Sequence, residues 1–98
     1  MSRGVVNVVL YDIEVDAASV AAFIDDPEPF VDGRSLSDEE RAALMEWDVG
    51  KLYALGAHPF LLLQAARSIA VHRGLTMPEF LAEYRTAVER HGYPDFIT

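Results

Sequence analysis

From residue 16 onward, apolar positions recur at the spacing of a helix face, whereas the stretch before it is apolar almost without interruption. In "AASVAAFID" the positions Val20, Phe23 and Ile24 share one side of a helix that Asp16 can cap and "DPEP" ends. Ser37 and Glu40 have capping-box spacing ahead of "ERAALMEW". Asp48 can cap a short helix through Leu55, with Gly56 as its stop, and Pro59 suits the first position of a helix running to Gly74. That helix, "PFLLLQAARSIAVHR", is apolar round most of its circumference, with only Gln64, Arg67, Ser68 and His72 as a polar strip, so it is expected to be the central one. Thr76 and Glu79 form a second capping box, opening a helix to about His91 that ends near Gly92.

The segment "VVNVVLYDIEV" is β-branched and aromatic, and residues 5–13 read as a strand or extended arm. The whole therefore predicts an all-α domain over residues 16–98, a compact bundle of about five helices, preceded by an extended arm over residues 1–15. A single strand needs a ladder for its backbone groups. Three readings compete: pairing with itself across a homodimer, addition to a partner's sheet through Val8, Leu10 and Tyr11, or an apolar arm lying over the bundle.

Charge and composition narrow the function. Ninety-eight residues suit one domain. The net charge of −8 disfavours nucleic acid, whose phosphates require a cationic surface. No stretch approaches the roughly 20 apolar residues of a membrane span, and the acidic turn of the opening segment is not that of a signal peptide. The absence of cysteine removes disulfides and thiolate chemistry and agrees with a cytoplasmic protein.

Local catalytic signatures are missing. His58, His72 and His91 have no second ligand at metal-binding spacing, so no metal site is expected in this chain. His72 and His91 fall in last helical turns, where the dipole favours a cation. His58 precedes its helix, in "GAHPF", and either caps that corner or serves a contact. The acidic run "DDPEPFVDGRSLSDEE" departs from the twelve-residue calcium loop and reads as caps and solvated charge. Paired carboxylates have nothing to place them in a pocket, the serines lack a nucleophile elbow, and the glycines form no phosphate loop. Trp47 and Tyr53 read as core aromatics. The expected role is that of a binding module or subunit.

The succession "FIDDPEPF", "LSDEERAALMEWDVGKLYALGAHPFLL" and "LTMPEFLAEYRTA" resembles the small (alpha) subunit of protocatechuate 4,5-dioxygenase and its relatives, the class III extradiol ring-cleaving enzymes. The resemblance covers about two-thirds of the chain and lies in the order and spacing of its elements. It implies a non-catalytic subunit that covers the active-site cleft of a larger catalytic subunit. Iron(II) and its ligands belong to that larger subunit, where oxygen and a catecholic substrate bind and the ring opens. It also implies that His58, Phe60 and Tyr53 face the large subunit or its cleft. Two departures stand out: the loop that larger members carry between the counterparts of Phe60 and Leu75 is replaced by helix, and "VVNVVLYDIEV" has no counterpart. A different reading takes the chain as a leader domain of a ribosomal peptide precursor, bound by a backbone N-methyltransferase that modifies the tail "GYPDFIT".

Overall fold

The opening segment folds as a helix. The computed structural model describes residues 2–91, with side chains from residue 4 to residue 90. Seven helices run through these residues: α1 Ser2–Glu14, α2 Ala17–Asp25, α3 Glu28–Val31, α4 Asp38–Glu46, α5 Val49–Ala54, α6 Pro59–His72 and α7 Met77–His91. The all-α expectation holds, and the five helices read from the sequence are α2 and α4 to α7. The single turn α3 occupies the proline-rich break, where a fixed φ suits the start of a helix.

α1 corrects the extended arm. Val6, Val9, Leu10 and Ile13 stand at the i, i+3, i+4, i+7 spacing and are all buried. A lone strand would leave its amides and carbonyls without partners, whereas a helix satisfies them internally while burying those four side chains. Tertiary packing thus overrides the β propensity of the valines. Leu10 is fully buried in the core, and Val8 and Tyr11 are exposed on the opposite side of the helix. Strand addition, to a second copy or to a partner's sheet, is not available to a segment so folded.

The caps form as the sequence predicts. Asp16 accepts a hydrogen bond from the Ser19 amide at 2.7 Å, and Asp48 one from the Lys51 amide at 3.1 Å. Both capping boxes are complete: Ser37 N–H donates to Glu40 at 2.9 Å and Glu40 N–H to Ser37 Oγ at 3.1 Å. The Thr76 amide donates to Glu79 at 2.7 Å, with the return bond at 3.3 Å. The acidic run is used structurally, since Asp26 accepts from the Glu28 amide and Asp32 pairs with Arg41.

Three helices end alike. After α5 the Ala57 amide reaches back to the Leu52 carbonyl, and after α6 the Leu75 amide reaches the Ala70 carbonyl. Gly56 and Gly74 take the left-handed conformation that this closure demands. After α4 the same position belongs to Trp47, at φ 52°, and the Asp48 amide closes on the Ala43 carbonyl at 2.8 Å. A side chain in that conformation costs roughly 1–2 kcal/mol. The offsetting contact is the indole's edge-to-face packing on Phe23, with centroids 5.4 Å apart.

The main core gathers Leu10, Ile13, Leu44, Leu52 and Leu62, and a smaller one gathers Ala66, Ala70 and Phe80. Trp47, Val49 and Tyr84 pack against both. α6 touches α1, α2, α5 and α7, in keeping with its expected central place. It is not buried all round, however, because Phe60, Leu63 and Val71 share the outward strip with Arg67. α1 runs alongside α6 in the same direction, with Asn7 beside His58 at one end and Asp16 beside Arg67 and His72 at the other. The body is flattened, measuring 33 × 33 × 18 Å.

Candidate functional site

The corner between α5 and α6 is built by His58. Its ring Nδ1 accepts a hydrogen bond from the Phe60 amide at 3.2 Å, which caps α6. Its own backbone N–H donates to Asn7 Oδ1 at 2.8 Å, tying the corner to α1. Pro59 follows at the first helical position, where its missing N–H has no bond to lose. With Nδ1 serving as acceptor, the ring proton of the neutral imidazole resides on Nε2. His58 therefore starts the helix, and it does so from an exposed position.

Beyond that cap the helix turns apolar side chains outward. Phe60 is 59% exposed, and with Leu63, Gln64 and Arg67 it forms one wall of a groove of about 270 Å³. Met77, Phe80 and Leu81 of α7 form the other wall. Among the residues read from the sequence, Phe60 lines this groove, and the exposed His58 caps the helix that carries it. Tyr53 does not join them: it is half-buried against the main core, on the side of α5 that faces Tyr84 of α7. Leu63, Met77 and Leu81 complete the surface. Nothing in their residue types distinguishes them from core positions.

A second groove, of about 360 Å³, lies between the α4–α5 corner, the end of α6 and α7. Trp47, Val49, Phe80 and Tyr84 line its apolar part, and Arg73 and Glu83 stand 3.7 Å apart at its rim. Burial pushes the Tyr84 hydroxyl up to about 12, reinforced by the nearby Tyr53 hydroxyl. Tyr84 is thus a neutral phenol at physiological pH, a donor and a packing group rather than a base.

Among the described residues no three histidine, aspartate or glutamate side chains converge as metal ligands. His72 ends α6 on the surface. The His91 side chain and the tail "GYPDFIT" lie outside the described residues. What the arrangement offers is contact: a capped corner and an apolar groove on a thin body. Nor is any helix among the described residues long and apolar enough to cross a membrane.

Over residues 6–87 the sequence matches the family model described as aromatic-ring-opening dioxygenase LigAB, LigA subunit, and the match takes in most of "VVNVVLYDIEV", which therefore does have a counterpart in the family. No curated protein and no solved structure matches the chain significantly.

Proposed function

The chain belongs to the LigA-subunit family of the LigAB aromatic-ring-opening dioxygenases, and on that premise we propose that it is the small, non-catalytic subunit of such an enzyme. In this reading it packs on a larger catalytic subunit, which carries the iron(II), and covers the cleft where a catecholic ring is opened in aromatic catabolism. The family match over residues 6–87 carries the proposal. The flattened body and the outward apolar side chains of α6 and α7 support it, because a cover needs breadth and apolar area more than acids or bases. His58 and Phe60 are the groups of this chain assigned to the rim of the cleft, with the Nε2 side of the imidazole as a hydrogen-bonding contact. Tyr53 would act from behind, by holding α5 against α7. The assembly is expected in the cytoplasm.

The leader-domain reading has no observation in its favour. The test is reconstitution. The purified chain is combined with the larger dioxygenase subunit of the same organism, and oxygen uptake is followed with a panel of catechols. The chain alone should consume no oxygen, and the mixture should run faster, or on fewer catechols, than the large subunit alone. Identical rates and substrate range with and without this chain, and no joint peak in gel filtration, would defeat the proposal.

A further inference from the structure

We infer that the outward face of α6 and α7 is the surface that meets the larger subunit, and that the patch it meets is apolar and nearly uncharged. This rests on the small-subunit reading and adds which face binds and by what chemistry.

The charge of the chain is not spread evenly. Residues 16–48, which span α2 to α4 and the residue that caps α5, hold ten acidic and two basic side chains. The remainder holds six of each, so the whole net charge of −8 falls on that one stretch. The exposed apolar side chains are distributed the opposite way. Of the nine large ones among the described residues, eight stand on α1, on the residue after it, on α6 or on α7. Val8 and Tyr11 lie one turn apart on α1, and Leu63 meets Met77 and Leu81 across the α6–α7 groove. Ile24 alone belongs to the acidic stretch.

This segregation selects the occupant. Interface centres are depleted in charge and enriched in aromatic and methionine side chains. Covering the acidic stretch would instead require a basic partner to offset desolvation. A neutral apolar face gains most from a neutral apolar counterpart, and it leaves the acidic stretch to water, where it keeps the assembly soluble. The groove between Phe60 and Leu81 gives such a counterpart a place to insert a side chain.

The experiment measures the affinity of the chain for the larger dioxygenase subunit of the same organism, by titration at 50 and 500 mM sodium chloride. Apolar docking predicts a Kd that changes by less than about twofold between these salts, whereas docking through the acidic stretch predicts a loss of tenfold or more. Leu63→Glu and Leu81→Glu should each weaken binding at least about tenfold, with circular dichroism confirming an intact fold at these exposed positions. Ile24→Glu and the pair Asp38→Lys with Glu39→Lys should leave Kd within about twofold. Binding that survives both leucine variants but falls with the lysine pair overturns the face assignment and leaves the subunit reading standing. So does a chain that uses this face to dimerise while the large subunit binds elsewhere. Failure of the unaltered chain to bind at all overturns the inference together with the reading beneath it.

Discussion

The side-chain oxygen of Asn7 on α1 accepts a hydrogen bond from the His58 backbone N–H at 2.8 Å, across 51 positions of chain. One amide thereby fixes where α1 begins relative to α6, while the His58 ring caps the same helix from within. Asn7→Ala should destabilise the protein by about 1 kcal/mol, the net worth of one such bond. Asn7→Asp, which keeps an acceptor, should recover most of that loss. Equal loss in both variants on urea denaturation would show that the side-chain oxygen is not the contributing atom.

The helical register of α1 makes neighbouring positions behave oppositely. Leu10→Ala removes a fully buried side chain and should cost about 3 kcal/mol. Val8→Ala trims an exposed one and should shift stability by no more than about 0.5 kcal/mol. In a strand the two positions would share a face, so similar midpoint shifts would contradict the helix.

Trp47 presents an unusual ordering. Replacing it by alanine loses the edge-to-face packing on Phe23 yet keeps a Cβ in the left-handed conformation. Trp47→Gly loses the same ring but relieves that strain. Both should be destabilised by about 3 kcal/mol or more, with the glycine variant the more stable of the two by roughly 1 kcal/mol. Thermal melts of the pair would reveal a reversed order if the position were not left-handed.

Tyr84 sets the alkaline limit. Its hydroxyl is raised from the ordinary value near 10 to about 12, so the group binds its proton more tightly folded than unfolded. The associated stability is fully present below pH 10 and is lost as the pH climbs through 12. Denaturation midpoints should fall across that window and flatten in Tyr84→Phe. At the acid end the sign reverses. Asp16 and Glu79 are held below the ordinary carboxylate range by the amides and hydroxyls they cap, so their contribution is present above about pH 4 and declines below it. The double variant Asp16→Asn with Glu79→Gln should flatten part of the fall in midpoint between pH 5 and pH 2.5, and a fall as steep as in the unaltered chain would contradict the capping geometry.

Much of this architecture was legible in the residues because caps are local. Asp16, Ser37, Asp48 and Thr76 each announce a helix start within four residues, and all four act there. α1 was obscured by composition, although Val6, Val9, Leu10 and Ile13 already carried the helical spacing. The outward strip of α6 was obscured for the opposite reason: Phe60, Leu63 and Val71 have the same chemistry as buried Leu62 and Ile69, so only packing tells them apart. His58 was visible as either cap or contact, and its Nδ1 shows the cap. Tyr53 read as a core aromatic from its spacing and as a cleft contact from the resemblance, and it packs against the main core on the side of α5 that α7 crosses.

Trp47 packs against both cores, with Phe23 on one side and the cluster containing Phe80 on the other. Two ends of the molecule therefore share one ring, and neither can be repacked alone. A change of volume at Phe23 has to be taken up by the indole, and so presses on the cluster that contains Phe80. Trp47 is thus a side chain on which the packing of α2 and that of α7 both bear.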